Sequence, residues 1–228
     1  MRTGEDFKNG QVLLINKPLT WTSFQVVNKL RWNIRQKFGL GKIKVGHAGT
    51  LDPLATGLLI ICTGNFTKKI DEYQGQIKEY TGEITLGATT PSYDLETEVD
   101  ETFPIDHITS DLIHKTVQQF VGEIEQVPPM FSAIKMAGVR LYDLARQGKT
   151  REIQSRKITI ETFEITNITM PKVQFRIVCS KGTYIRSLAY DFGKALNSGG
   201  YLSALRRTKI GNFNVNDAYE IEDFIANL

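Results

Sequence analysis

Residues 45–68 read VGHAGTLDPLATGLLIICTGNFTK in a chain of 228 residues. This stretch joins a Gly-rich polar loop to a continuous apolar run through the step Asp52-Pro53. The apolar run 58–62 is typical of a buried strand or of a short buried helix, and periodicity does not choose between them. Asp52 therefore lies at the edge of a buried element. There it can serve as a catalytic group or as the N-cap of a helix that begins at Pro53.

On the N-terminal side, the pattern predicts a short buried strand over 12–15 and then a helix. Thr22 followed by Gln25 three residues later is a capping box, which marks the start of that helix. The helix has an apolar stripe at helical spacing, formed by Phe24, Val27, Leu30, Ile34 and Phe38. Gly39 and Gly41 are expected to end it.

On the C-terminal side, strands and helices are interspersed irregularly, which predicts a mixed α/β chain, α+β-like, without a regular βαβ rhythm. Alternating stretches predict strands over 79–86 and 208–215 and a hairpin of 156–168 with 172–180. Helical patterns predict helices over 109–121, 141–147, 183–196 and 221–226. The stretch 91–106 is expected to be an exposed loop, and the basic, Pro- and Gly-punctuated segment 126–151 a loop-helix insertion.

Charge is unevenly distributed along a chain whose formal net charge is only +3. Residues 29–44 contain six basic side chains and no acid, and residues 201–211 add three more. Residues 94–106 contain six acids and no base. Such a molecule can orient on a phosphate backbone, although each run can also be an ordinary solvated surface.

Several classes of protein are disfavoured by the sequence. The two cysteines, Cys62 and Cys179, lie in apolar stretches and indicate a reducing compartment. No signal peptide and no membrane span is recognisable, so we expect a cytoplasmic protein. The spacings of a P-loop, a dinucleotide-binding glycine motif, a metal-ligand cluster and a Gly-x-Ser-x-Gly elbow are not found. The chemistry is therefore expected to need no metal and no organic cofactor.

The blocks of sequence around Asp52 resemble the TruB family of pseudouridine synthases along almost all of the chain. The matching blocks are Asn16-Lys17-Pro18 with Thr22-Ser23, GHAGTLDPLATGLL at 46–59, Lys78-Glu79-Tyr80, VPPMFSAIKMAGVRLYDLAR at 127–146, CSKGTYIRSLAYDFG at 179–193 and Leu205-Arg206-Arg207. The resemblance implies the pseudouridine synthase fold, a central mixed and largely antiparallel sheet flanked by helices. It also implies isomerisation of uridine to pseudouridine at position 55, in the TΨC loop of tRNA.

The resemblance also assigns roles to individual residues. Asp52 matches the catalytic aspartate, Tyr80 the tyrosine that stacks on the target base, and Arg186 the arginine that pairs with the aspartate. His47 matches the histidine that helps displace the target base. Further pocket-lining positions are Lys17, Tyr184 and Leu205. Without the resemblance, Tyr80 would be read as a packing residue and His47 as a structural histidine. Arg186 could be either a buried partner for a carboxylate or a surface residue.

Pseudouridine formation breaks the N1–C1′ bond, turns the uracil and joins C5 to C1′. Ionised Asp52 could attack C1′, add to C6 or remove the 2′ proton, and the sequence leaves these three routes open. The target base must first leave its stack, which costs a few kcal/mol. Basic residues in 29–44 and in the insertion are expected to grip phosphates, with Arg31, Lys42, Lys44, Lys135, Arg140 and Arg206 as the candidates.

The chain departs from its relatives in two places. Phe66 replaces a small residue in the block Gly64–Lys68, where we expect only a change in packing. Too few residues follow Asn212 for the RNA-binding PUA domain that many relatives carry, so we expect one catalytic domain over 1–228. We expect a monomer that needs no protein partner. The alternatives are a guide-RNA-dependent synthase of the dyskerin type and a tRNA-binding folding factor.

Overall fold

The computed structural model describes residues 2–136 and 138–228 and divides them into two compact units. Unit 1 contains the chain up to Tyr80 together with Leu205–Leu228, and unit 2 contains Thr81–Ala204. The helices are α1 Gly4–Asn9, α2 Ser23–Phe38, α3 Ile70–Gly75, α4 Ser110–Val117, α5 Leu141–Ala145, α6 Ile185–Ala195 and α7 Ile221–Ala226. The strands are β1 Val12–Lys17, β2 Val45–His47, β3 Ala55–Thr63, β4 Lys78–Leu86, β5 Ala88–Thr89, β6 Glu101–Thr102, β7 Gly122–Gln126, β8 Lys135–Met136, β9 Val139–Arg140, β10 Arg156–Thr169, β11 Lys172–Cys179, β12 Gly200–Ile210 and β13 Phe213–Asn214.

Strand β3 is the centre of unit 1 and resolves the ambiguity of the apolar run: it is a strand. Its neighbours β1 and β2 are antiparallel to it, and β12 is parallel to it. Successive side chains of a strand point to opposite faces, so a continuous apolar run indicates that both faces are buried. Leu59 and Ile61 pack into one core, and Leu58, Ile60 and Cys62 into the other.

The first core of unit 1 is covered by helix α2, whose start was predicted correctly. Thr22 is its N-cap, and the reciprocal bonds of the Thr22–Gln25 capping box are present. Gly39 ends the helix in the left-handed conformation, with a φ of 60°. Val27, Leu30 and Ile34 of the predicted stripe are buried. The prediction for Phe24 was wrong, because 62% of that residue is exposed.

Unit 2 is built on the hairpin of β10 and β11, which confirms the predicted pairing. Strand β7 adds to the other edge of β10, antiparallel to it. Helix α4 is shorter than the predicted 109–121 and is followed by a single 3-10 turn, Gln118–Phe120. A cluster of aromatic rings packs in this unit, with tilted or edge-to-face contacts, and consists of Phe120, Phe163, Phe175 and Phe192.

The segment 126–151 contains a small hairpin, β8 with β9, followed by α5. Ala137 in this segment lies outside the described residues. The prediction of an exposed loop over 91–106 was only partly correct. Ser92 and Asp94 are buried, because the chain turns inward there and Leu202 donates its backbone N–H to the Tyr93 carbonyl. Among the described residues, no helix is long and apolar enough to cross a membrane.

Candidate active site

Asp52 occupies a turn that leads directly into a strand. Pro53 and Leu54 complete the turn and β3 begins at Ala55, so the alternative that Asp52 caps a helix is wrong. The Ala55 N–H donates to the Asp52 carbonyl at 3.0 Å. Ser23 fixes the preceding residue: its hydroxyl donates to the Leu51 carbonyl at 3.1 Å and accepts from the Leu51 N–H at 2.9 Å. The carboxylate is thus carried by a turn whose backbone is held on both sides.

Lys17, at the end of β1, is completely buried beside this turn. Its ammonium group donates to the carbonyls of Pro18 at 2.9 Å, Trp21 at 2.6 Å and Pro53 at 3.4 Å. Burial lowers the pKa of Lys17 from 10.5 to about 8, while the charge of Asp52 opposes that shift and Arg207 adds to it. Lys17 therefore acts electrostatically on Asp52 and holds the backbone next to it.

His47 lies at the end of β2, five residues before Asp52. Burial lowers its pKa below the ordinary 6.5, and the positive charge of Arg207 lowers it further, with partial opposition from the Gly49 backbone. The imidazole is therefore neutral at pH 7. A neutral ring can stack in or fill the space that a base leaves without adding a charge to the interior.

Tyr80 and Leu205 belong to unit 1 as well and lie on long strands. Tyr80 is 8% exposed on β4, on the same face of that strand as the buried Lys78. Leu205 on β12 is paired in register with Ala55, three residues after Asp52. Of the predicted site residues, unit 1 therefore contains Asp52, His47, Lys17, Tyr80 and Leu205.

Arg186 belongs to unit 2, in the first turn of α6, and is 4% exposed. Its Nη2 donates to the Phe131 carbonyl at 2.8 Å and its Nη1 to the Ser92 carbonyl at 3.3 Å. Its Nε lies 3.6 Å from Oδ2 of Asp94, which is also buried. Of the two readings that the residues left open for Arg186, the structure shows the buried partner of a carboxylate and not the surface residue. The pairing of Arg186 with Asp52, implied by the resemblance, stays a prediction.

Asp94 is a residue of this arrangement that the sequence did not reveal. It lies in an acidic stretch, and nothing in the stretch distinguishes it from its neighbours. In the structure its buried carboxylate forms an ion pair with the buried guanidinium of Arg186 and offsets that charge.

Tyr184 precedes α6 in unit 2 and is half-buried. Gln126 binds its backbone twice, accepting from the Tyr184 N–H at 2.8 Å and donating to the Tyr184 carbonyl at 3.0 Å. The Arg156 guanidinium lies 4.7 Å from the centre of the Tyr184 ring and also donates to the Gly182 carbonyl. The turn before α6 is therefore held by polar contacts from β7 and β10.

Most of the predicted RNA-binding residues are accessible to solvent. Lys42, Lys44, Lys135 and Arg140 are exposed, and Arg31 and Arg206 are half-buried. In unit 1 a depression of about 450 Å³ is lined by Arg31, Arg35, Lys42, Ile43 and Lys44. Four of these five side chains are cationic, so the depression can hold a phosphate group.

The described residues contain no group of three or more His, Cys, Asp or Glu side chains arranged to hold a metal ion. The groups that unit 1 brings to the turn are a carboxylate, a neutral imidazole and buried cations, with a tyrosine on β4 of the same unit. A carboxylate held in this way can act as a nucleophile or as a base on a bound molecule.

Two solved structures of larger assemblies contain a chain that is similar to this one. A crystal structure of a Cbf5-Nop10-Gar1 complex contains a chain that is 29% identical, with a TM-score of 0.73 over 99% of the present chain. An H/ACA RNP bound to a substrate RNA containing 2′-deoxyuridine gives 26% identity and a TM-score of 0.70. The present chain spans only 56% and 55% of these two chains.

Curated relatives match over most of their length. The tRNA pseudouridine synthase B of Flavobacterium johnsoniae is 66% identical over 99% of both chains. The tRNA pseudouridine synthase B of Phocaeicola vulgatus is 54% identical over 96% of this chain and 93% of its own. A family model described as TruB family pseudouridylate synthase (N terminal domain) matches residues 35–185, and one for the tRNA pseudouridylate synthase B C-terminal domain matches residues 186–228. This chain therefore belongs to the TruB family of pseudouridylate synthases.

Proposed function

We propose that this chain isomerises uridine to pseudouridine at position 55, in the TΨC loop of tRNA, and that Asp52 is the group that acts on the nucleotide. The observation that carries the assignment of Asp52 is its turn, which is held by Ser23 and by the buried Lys17. The Leu51 and Pro53 carbonyls on either side of Asp52 accept hydrogen bonds from Ser23 and Lys17. The backbone that carries the carboxylate is therefore fixed in place.

The reaction exchanges one bond to C1′ for another and consumes nothing. The carboxylate can attack C1′, add to C6 or remove the 2′ proton, and each of these steps requires Asp52 ionised and oriented. Lys17 supplies a nearby positive charge. The detached uracil must stay in place while it turns, and Tyr80 stacks on it, as aromatic side chains do on splayed-out bases.

The target base reaches the carboxylate by leaving the stack of its loop. His47, neutral at pH 7 because burial and Arg207 lower its pKa, stabilises the vacated space. The resemblance implies that Leu205 of unit 1 and Tyr184 of unit 2 also contact the base. Within unit 2, Arg186 pairs with Asp94, whose Oδ2 lies 3.6 Å from the Arg186 Nε. The TruB relatives are named for action on tRNA.

The RNA backbone is gripped by cations on both units. The depression on unit 1 contributes Arg31, Lys42 and Lys44, and the hairpin of unit 2 contributes Lys135 and Arg140. Arg206 donates to the Thr56 hydroxyl at 3.5 Å and keeps further donors for a phosphate.

The experiment uses a TΨC stem-loop transcript labelled with tritium at C5 of uridine, because joining C5 to C1′ releases that hydrogen. Asp52→Asn and Asp52→Ala are expected to lower the rate of tritium release by roughly 10³-fold or more while RNA binding stays within about 3-fold. Asp71→Asn, an exposed acid in the first turn of α3, is the matched control and is expected to keep the wild-type rate. Normal release by Asp52→Ala would refute the role of Asp52.

The same assay distinguishes the alternative of a guide-RNA-dependent synthase of the dyskerin type. We propose that the chain acts as a monomer without an obligatory protein partner. It should therefore modify the bare stem-loop when purified alone, and elute as a monomer in size-exclusion chromatography. Activity that depends on an added guide RNA or partner protein would favour the alternative.

A further inference from the structure

Arg207 is a buried cation in unit 1 to which neither the sequence nor the resemblance gave a role. It belongs to the basic run 201–211, which the sequence suggested as surface. In the structure Arg207 is 1% exposed and is among the largest fully buried side chains of the described chain. Burying a guanidinium is costly unless its donors are satisfied, so the position of Arg207 calls for a physical reason.

The guanidinium contacts the backbone on both sides of Asp52. Its Nε donates to the Leu58 carbonyl at 2.8 Å, its Nη2 to the Gly49 carbonyl at 3.2 Å and its Nη1 to the Thr50 carbonyl at 3.5 Å. These acceptors lie in the loop that joins His47 to Asp52 and in the strand that follows it. One planar group with donors in a rigid fork thus ties the loop to β3, which a point charge cannot reproduce.

Strand register explains how Arg207 reaches the loop. Gly57 of β3 is paired with Lys17 of β1 on one side and with Arg207 of β12 on the other. Side chains that are paired across strands point to the same face of a sheet. The side chains of Lys17 and Arg207 therefore lie on the same face of the sheet, on either side of Gly57, which has no side chain. Lys17 binds the Pro53 carbonyl and Arg207 the Gly49 and Thr50 carbonyls.

We propose that Arg207 is a positioning residue, whose guanidinium fixes the loop 49–52 so that Asp52 is presented in its reactive orientation and His47 is held beside it. This proposal rests on the role proposed above for Asp52. Arg207 acts through the backbone and does not touch the nucleotide. Its charge has a second, separable effect: burial is the larger cause of the lowered pKa of His47, and the charge of Arg207 lowers that pKa further.

Two substitutions separate geometry from charge. Arg207→Lys keeps the positive charge but loses the fork, and Arg207→Met loses both. In single-turnover tritium release from saturating stem-loop RNA, Arg207→Lys is expected to lower the rate about 100-fold, the scale expected when a reacting group is misplaced by about 1 Å. The Kd for RNA should stay within about 3-fold of wild type, because Arg207 is not on the surface.

The pKa of His47 provides a second measurement, which would not change if Arg207 had a purely structural role. Titration of His47 by NMR should give a raised pKa in Arg207→Met and a nearly unchanged pKa in Arg207→Lys, because only the former removes the charge. If Arg207→Met does not fold, Arg207→Lys alone decides, through its rate. An unchanged His47 pKa in a folded Arg207→Met protein would overturn the electrostatic part of the proposal.

Thr63→Val is the matched control for loss of stability. Thr63 is a fully buried polar residue of the same unit, whose hydroxyl donates to the Phe7 carbonyl at 2.9 Å, but it lies at the far end of β3 from Asp52. It should lower Tm while keeping the single-turnover rate within about 3-fold. The proposal would be overturned if the single-turnover rate of Arg207→Lys stayed within about 3-fold of wild type. It would also be overturned if Arg207→Lys lowered that rate no more than Thr63→Val does at the same loss of Tm. Activity in Asp52→Asn, measured in parallel, would instead refute the role of Asp52.

Discussion

Lys17 shows how a single buried charge affects both the stability of the fold and the chemistry proposed for the turn. Its three carbonyl acceptors satisfy the ammonium hydrogens, which makes complete burial tolerable. Burial and the neighbouring Arg207 nevertheless disfavour the protonated form, and Asp52 only partly compensates. The folded protein therefore binds this proton more weakly than the unfolded chain does.

The free energy of unfolding should consequently rise with pH between about 8 and 10.5, as Lys17 loses its proton in the folded state while remaining protonated in the unfolded chain. The shift in pKa corresponds to about 3 kcal/mol as an upper limit. Urea denaturation at a series of pH values checks this, with the difference between wild type and Lys17→Met as the measured quantity. Since Lys17→Met cannot titrate, parallel curves for the two proteins would show that the pKa of Lys17 is not lowered.

At the level of residues, the sequence placed the main candidates but not their surroundings. Asp52, His47 and Lys17 were found through blocks that resemble a family, and the structure brings them to one turn. Asp94 and Arg207 were missed, because a charge in the sequence carries no sign of whether distant segments will bury it. Burial of Arg207 depends on carbonyls about 150 positions away along the chain.

Strand β3 both fills the core of unit 1 and carries the turn that holds Asp52. Its apolar side chains fill cores on both faces, while its N-terminal end carries the turn of Asp52. Parallel pairing with β12 brings the two backbones so close at Gly57 that a Cβ there would lie 2.3 Å from the Arg207 carbonyl oxygen. Gly57 also has a φ of 104°, a conformation that other residues rarely adopt.

Gly57→Ala is therefore expected to destabilise the protein by about 3 kcal/mol or more, since the strands must separate and the new side chain is strained. Urea denaturation measures the loss. The control is Gly75→Ala at the end of α3, where a Cβ meets nothing within 4 Å and the change should stay within about 1 kcal/mol. Equal stabilities for the two variants would contradict the close approach of β3 and β12.

At the level of elements, the sequence predicted features that depend on neighbouring residues, but not those that depend on pairing between distant segments. The capping box of α2 and the β10–β11 hairpin depend on neighbouring residues, and both predictions were confirmed. For the run 58–62 the sequence left a strand and a short helix open, and the choice is made by pairing with the distant strands β1 and β2. The strand predicted over 208–215 was only partly correct: β12 begins at Gly200 and ends at Ile210, and Phe213–Asn214 turn back on it as β13.

At the scale of the whole molecule, the charges of the chain are nearly balanced but segregated. The basic run 29–44 remains accessible and lines the depression of unit 1. The run 201–211 does not form a comparable surface, because Arg207 is buried and Lys209 lies 3.7 Å from Glu79. The electrostatic grip on RNA that we propose therefore depends on the first run far more than on the second.

Replacing Lys42 and Lys44 by Gln should weaken RNA binding and also reduce its dependence on salt. Each lost phosphate contact lowers the slope of log Kd against log salt concentration by about 0.7–0.9, so the double variant should lose about 1.5. Fluorescence anisotropy with a labelled stem-loop between about 50 and 200 mM salt measures this. The double variant Lys115→Gln and Lys157→Gln makes the same change in net charge on unit 2, at two exposed lysines outside the proposed grip. If both double variants reduce the slope equally, binding follows net charge alone; a reduction confined to Lys42 and Lys44 locates the phosphates at the depression.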